Sequence, residues 1–262
     1  MSAPPVWPPA PGGTWVLDLD GVIWLSGQPI EGVEQAIATL RGAGVRTLFA
    51  TNNSSQTRAE LHRKMANCGL TTSDDDLLSS ADVAAGLLDP GTTALVVGGD
   101  GLREALRTRG VTMVGEGPAD AVVVGWTRDF TFDLLAAASD AVRRGARLIG
   151  TNDDPTYPTP DGLLPGGGAL LAAVATASET TPLIAGKPHQ PTVDAIGAIA
   201  PDLRVMVGDR PSTDGDLAAG LHIPFALVLS GVTAADGVPT DPAPAAVAKD
   251  LAELVRSVLS SG

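Results

Sequence analysis

A single cysteine, Cys68, stands in 262 residues, so no disulfide can close within the chain and a thiolate zinc cluster is disfavoured. Histidine is nearly as scarce. His62, His189 and His222 are widely separated and match no zinc-ligand spacing, which favours structural roles for all three. Positive charge is also thin, with 17 Lys and Arg against 30 Asp and Glu and a formal net charge of −13. Nucleic-acid surfaces need clustered Lys and Arg, so this balance argues against such a partner. It does not argue against a small phosphorylated molecule, because a bound divalent cation reverses the local field. No apolar run approaches the ~20 residues of a membrane-spanning helix. The opening stretch MSAPPVWPPAPGGTW has neither the basic nor the apolar part of a signal peptide. A soluble, cytoplasmic protein is expected, with residues 1–13 an extended, Pro-rich lead-in.

A hydrophobic fraction of 44% leaves ample material for a core. Short apolar or β-branched runs recur, each ending in a polar cluster: WVLDLDG (15–21), VRTLFATNNSS (45–55), TALVVGGDG (93–101), DAVVVGWTRD (120–129), ARLIGTNDD (146–154), PLIAGKP (182–188), LRVMVGDRPSTD (203–214) and PFALVLSG (224–231). Amphipathic segments lie between them, such as VEQAIATLRGAG (33–44), LREALRTRG (102–110), FDLLAAASDAVRRG (132–145) and GGALLAAVATAS (167–178). A last helix is expected over AAVAKDLAELVRSVL. Strands alternating with helices in this way predict βαβ units and parallel sheets, an α/β fold. In such folds ligands gather beyond the carboxyl ends of strands, where these polar clusters fall.

Four of the clusters carry chemistry. Asp18 and Asp20 flank one residue before Gly21; alternate residues of an extended chain face one side, so two carboxylates can converge on a small volume. Carboxylates that close repel unless a cation or proton intervenes, and magnesium suits hard oxygen ligands. One aspartate can then attack phosphorus while the other exchanges a proton with the leaving group; an Asp-rich turn is the plain alternative. Thr51–Ser55, TNNSS, offers donors at a strand-to-helix junction, where an anion can bind or where Ser54 or Ser55 can cap a helix starting near Gln56. Lys187, one of three lysines, sits in a GKP turn and can offset phosphoryl charge, or simply be solvated. Asp209 and Asp214, in GDRPSTD, can add a metal ligand and an outer carboxylate, or serve as turn residues. Asp216 reads as the start of the next helix.

Taken in order, LDLDGVIW, ATNNSSQTR, IAGKPHQP and VGDRPSTDGDLAAG resemble the haloacid dehalogenase superfamily of phosphohydrolases, and within it the NagD-like, p-nitrophenylphosphatase-type subgroup with a C2-type cap. The resemblance covers nearly all of the chain after the lead-in. It implies a Rossmann-like parallel-sheet core over 14–80 and 182–262, with a smaller α/β cap inserted over 81–181. It implies Asp18 as nucleophile and magnesium ligand, and Asp20 as general acid/base that also offers its backbone carbonyl to the metal. Thr51 with the Asn52 backbone would bind phosphate, Lys187 would steady its charge, Asp209 would be the remaining protein ligand to magnesium, and Asp214 an outer acid. The second aspartate favours phosphate esters over halides, since a halide leaving group needs no proton. Within GTNDDPTYPTPDGLLPGGGAL, the stretch similar to the family's cap loop, Asn152, Asp153 and Tyr157 are candidates for leaving-group recognition, with turn chemistry the alternative for the first two. Gly166–Gly168 lacks the spacing of a dinucleotide fingerprint. Pro211 and Ser212 depart from what related sequences often carry. The implied activity is magnesium-dependent hydrolysis of a small phosphomonoester (a sugar, glycerol, glycolate, nucleotide or cofactor phosphate) through an aspartyl-phosphate. Transfer to an acceptor alcohol and a non-catalytic phosphate sensor are the competing readings, and a homodimer is compatible with the pattern.

Overall fold

The computed structural model describes residues 12–159 and 162–259, together with Trp7 and Pro9. Most of the expected lead-in, and Pro160 and Asp161 of the expected cap loop, lie outside the described residues. The chain begins with β1 (Thr14–Leu17), a short hairpin of β2 (Trp24–Leu25) and β3 (Gln28–Pro29), α1 (Val33–Gly42) and β4 (Arg46–Thr51). Next come α2 (Arg58–Asn67), β5 (Leu77–Ser79), α3 (Ser80–Gly86), β6 (Thr93–Val97), α4 (Asp100–Thr108), β7 (Thr112–Val114) and β8 (Ala121–Val124). They are followed by α5 (Phe132–Arg143), β9 (Arg147–Gly150), the hairpin β10 (Thr156–Thr159) and β11 (Gly162–Pro165), α6 (Gly167–Ser178) and β12 (Leu183–Ile184). The chain closes with α7 (Gln190–Ile199), β13 (Leu203–Gly208), α8 (Asp216–Leu221), β14 (Phe225–Val228), β15 (Ala246–Ala248) and α9 (Leu251–Leu259). No helix among the described residues is long and apolar enough to cross a membrane.

The described residues form two compact units, one within Met1–Thr51, His62–Leu78 and Val193–Gly262, the other within Asn52–Leu61 and Ser79–Thr192. The first holds a six-stranded sheet in the order β15-β14-β13-β1-β4-β5. The pairs β1–β13, β1–β4, β13–β14 and β14–β15 are all parallel. Its central strands read as unbroken apolar runs because both faces are covered. Val16, Leu48, Ala50 and Met206 pack on one face against Ile196, Ala200, Leu217 and Ala218. The alternate residues Trp15, Leu17, Phe49 and Val207 are equally buried. Succession runs outward from β1 through β4 to β5, then resumes on the other side of β1 at β13. The direction of winding therefore reverses between β1 and β13, the position where open α/β sheets hold ligands.

The second unit is built around a five-stranded sheet in the order β12-β9-β8-β6-β7, parallel at every pairing. Leu95, Val97, Val122, Val124 and Leu148 supply its apolar face, and Ala138, Ala141, Leu171 and Val174 of α5 and α6 cover it. The expected helices materialise closely: α6 matches its predicted range, and Val33, Ile37 and Leu40 are the buried stripe of α1. The last segment differs. Ala246–Ala248 joins the sheet edge, and the helix starts only at Leu251 because the Asp250 carboxylate accepts the Glu253 N–H at 2.8 Å.

Candidate active site

Asp18 follows directly on β1 and Asp209 directly on β13, at the carboxyl ends of the two strands flanking the reversal. Register fixes their closeness: Leu17 pairs with Val207, and the Asp18 N–H donates to the Val207 carbonyl at 2.9 Å. Asp214 arrives through the wide turn Pro211–Gly215, whose Asp214 N–H donates to the Arg210 carbonyl at 2.8 Å. Pro211 suits the first position of this turn, since its fixed φ is helical and its missing N–H would have had no partner. Oxygens of Asp18, Asp209 and Asp214 all lie within 4.8 Å of one another. Their residues are only 9%, 5% and 0% exposed.

Glycines make that approach feasible. A Cβ on Gly208 would strike the Asp214 carboxyl group, and one on Gly231 would strike that of Asp209. Gly21, at φ 82°, occupies left-handed backbone, and a Cβ there would also meet Gly231 Cα at 2.9 Å. The Asp209 carboxylate accepts the Val232 N–H at 2.7 Å, and Ser230 Oγ donates to the Gly21 carbonyl at 2.6 Å. If all three carboxylates were ionised, unit charges at about 4.8 Å would repel by ~3.5 kcal/mol per pair at an effective dielectric of about 20. Three pairs approach the whole stability of a domain, about 5–15 kcal/mol. The cluster calls for a compensating cation, and an all-oxygen, carboxylate-rich donor set fits a hard divalent ion.

Asp20 is the exposed member of the Asp18/Asp20 pair. The strand ends at Leu17, so strict alternation does not extend to it: Leu19 is buried and Asp20 exposed. Its Oδ1 accepts the Trp24 indole N–H at 2.9 Å, and the buried Trp24 ring carries Lys64 Nζ at 5.3 Å from its centroid. Thr51 is the buried last residue of β4, next to β1 in the sheet.

The remaining candidates belong to the second unit. Asn52 and Lys187 are joined backbone to side chain: Asn52 Oδ1 accepts the Lys187 N–H at 2.8 Å, and Asn52 Nδ2 donates to the Lys187 carbonyl at 3.1 Å. Asn152 Nδ2 donates to the Asn52 carbonyl at 2.8 Å, while its Oδ1 accepts the Asp154 N–H at 3.2 Å. Asp153 pairs with His189 at 2.9 Å, and Tyr157 meets Trp126 edge-on with ring centroids 5.3 Å apart. The alternative reading of Ser54 or Ser55 as a helix cap gives way to Thr57, whose Oγ1 accepts the Glu60 N–H at 3.3 Å while Glu60 returns to the Thr57 N–H at 2.8 Å. Ser55 instead turns back onto Asn53 Oδ1, and Ser54 Oγ accepts from Thr151 Oγ1.

Sequence reading passed over Trp24, Gly208, Gly231, Asp154 and Ser80. Trp24, Gly208, Gly231 and Asp154 all stand inside the runs that carry the candidate residues or the family resemblance. Ser80 bonds the Asn52 carbonyl across 28 residues, and no local pattern announces such a contact. Elsewhere, burial pushes the Cys68 thiol up, partly offset by Lys64, and hydrogen bonds from Thr93 hold Asp120 below the usual carboxylate range.

Residues 15–112 match the model of a haloacid dehalogenase-like hydrolase, and 184–254 a second, HAD-hydrolase-like model. The D-glycerol 3-phosphate phosphatase of Mycobacterium tuberculosis is 36% identical over 250 residues, covering 91% of this chain and 70% of that one. The 5'-nucleotidase YutF of Bacillus subtilis is 33% identical, covering 84% of this chain and 88% of that one. A p-nitrophenyl phosphatase from Archaeoglobus fulgidus superposes with a TM-score of 0.88 at 28% identity, covering 95% of this chain and all (100%) of that one. The mycobacterial glycerol phosphate phosphatase, solved in complex with magnesium, superposes at 0.84 with 35% identity, over 93% of this chain and 76% of that one. It has also been solved in complex with calcium. By sequence and by fold, this chain belongs to the haloacid dehalogenase-like hydrolase family.

Proposed function

We propose that the protein hydrolyses a small phosphomonoester in two steps through an aspartyl-phosphate on Asp18. The observation that carries this is the buried triad of Asp18, Asp209 and Asp214 at the reversal of the sheet. In the first step a carboxylate oxygen of Asp18 attacks phosphorus, the ester P–O bond breaks, and Asp20 gives its proton to the leaving oxygen. In the second, Asp20 takes a proton from water, whose oxygen attacks phosphorus; the bond to Asp18 breaks and orthophosphate leaves. Asp18 and Asp209, with the Asp20 backbone carbonyl, would hold magnesium, and Asp214 would act from an outer position. Bound magnesium supplies Lewis-acid neutralisation of the phosphoryl oxygens. The Thr51 hydroxyl and Asn52 N–H bind those oxygens, and Lys187 balances their charge.

The span 81–181 acts as the cap that selects the leaving group, on a core of 14–80 and 182–262, with Asp153 and Tyr157 the candidates to read it. Asn152, whose amide is engaged at both ends, more readily holds the loop that presents them. Named relatives act on glycerol phosphate and on nucleotides, which supports a small phosphorylated metabolite as substrate. The test is phosphate release from a panel of phosphomonoesters, with magnesium and with chelator. Turnover that needs magnesium and vanishes in Asp18→Asn is the expected result. A folded protein that turns over no ester, or an Asp18→Asn variant with substantial residual hydrolysis, would overturn the reading.

A further inference from the structure

We infer that the Asn52 side chain is a positioning residue that acts through Lys187, clamping the backbone of the lysine on both sides. The inference rests on the proposed role of Lys187 as counter-charge to the phosphoryl group. One carboxamide engages both polar backbone atoms of a single residue: Oδ1 takes the Lys187 N–H at 2.8 Å and Nδ2 gives to its carbonyl at 3.1 Å. Such a pair fixes the direction in which the lysine leaves the chain, which one bond would not do.

The clamp is itself held. Nδ2 also donates to Asp154 Oδ2 at 3.1 Å, and the Asn52 carbonyl accepts from Ser80 Oγ and Asn152 Nδ2, each at 2.8 Å. Gly186 admits the amide to the backbone, for a Cβ there would lie 2.6 Å from Asn52 Oδ1. Lys187 is only 3% exposed, so its long stem runs through packed surroundings from this anchored base. A lysine side chain has many rotamers to lose, and a misplacement of ~1 Å at a reacting centre can cost about 10²-fold in rate. Securing the base of the chain removes one source of that error.

Asn52→Ala deletes the clamp and keeps the Asn52 backbone N–H, so a loss of activity cannot be assigned to the phosphate contact proposed for that N–H. The experiment is a double-mutant cycle, with kcat and KM for p-nitrophenyl phosphate measured in magnesium for the parent, Asn52→Ala, Lys187→Ala and the pair, each checked for folding by circular dichroism. The expected result is a loss of about 10²-fold in kcat for Asn52→Ala, with the double variant no worse than Lys187→Ala alone. Losses that multiply would overturn the clamp while leaving the proposed function standing. A Lys187→Ala enzyme with parental kinetics would instead remove the role of Lys187 and the clamp with it. If turnover without Lys187 falls below detection, the same cycle is read through orthophosphate affinity by calorimetry. Asn52→Leu, of similar size and with neither a donor nor an acceptor on its side chain, replaces Asn52→Ala should the latter fail to fold.

Discussion

The acidic cluster of the first unit and the amide cluster of the second solve opposite problems with the same few residue types. Asp18, Asp209 and Asp214 bring like charges together in a buried place, and small neighbours at 21, 208 and 231 leave them room. Asn52, Asn152 and Ser80 are uncharged, and each gives or accepts a bond that another needs. The first arrangement gains from the arrival of a cation. The second is tied together by its own donors and acceptors, with Asp154 beside them, and holds the backbone of Lys187 in one orientation. Charge is concentrated where an ion is to be recruited; neutral polarity is used where a position is to be kept.

The sharpest way to break the contrast is Gly208→Ala. The new Cβ collides with the Asp214 carboxyl group, and overpacking of this kind costs about 1–3 kcal/mol. Calorimetric titration with magnesium should show binding lost, and urea denaturation a lower midpoint. Retained metal binding would mean the glycine does not set the spacing of the acids. Next in size is Trp24→Phe, which removes the N–H held by Asp20 and keeps most of the ring bulk. General acid catalysis is worth roughly 10²–10⁴-fold, so misdirecting Asp20, the proposed general acid, should slow alkyl phosphates by up to about 10²-fold. Hydrolysis of p-nitrophenyl phosphate, whose leaving group needs less proton assistance, should suffer far less. Equal losses on both esters would assign Trp24 a packing role only.

On the neutral side, Asn152→Ala should cost about 1–2 kcal/mol of stability, since it removes one of the two side-chain donors to the Asn52 carbonyl. The urea midpoint reads this, and the preference between alkyl and aryl esters should stay as in the parent. The smallest effect concerns acid. Thr93 donates to Asp120 through its N–H at 2.8 Å and its hydroxyl at 2.6 Å, lowering the pKa of that carboxyl. Its contribution is present above the ordinary Asp range and fades as pH falls through the lowered value. Asp120→Asn should therefore narrow the stability gap to the parent only at the acid end of a pH series; a gap that widens there would contradict the assignment.

Much of this was readable from the chain. β1, β4, β13 and β14 are buried on both faces, so their sequences are near-continuous apolar runs, and the acids stand where those runs stop. Helices with a clear apolar stripe, such as α1, were equally plain. Edge elements were not: β5 and β7 have three residues each, and β15 lies in a stretch that also reads as helix. Asp18 and Asp20 could be paired by number, but their different exposure depends on where β1 ends, and Asp214 depends on a turn that brings it back beneath Gly208. The amide network escaped for a different reason. Its members at 52, 80, 152 and 187 are far apart in sequence, and Asn and Ser are ordinary loop residues one at a time.

Three positions that take no part in any bond-making step set the dimensions of the acidic cluster: Gly21, Gly208 and Gly231. In a saturation-mutagenesis map they would stand out as intolerant of every replacement, alanine included, beside aspartates that tolerate few. The outline of this site is drawn by atoms the chain leaves out, and any effort to widen it for a larger ion, or to transplant it to another sheet, has to carry those omissions along with the acids.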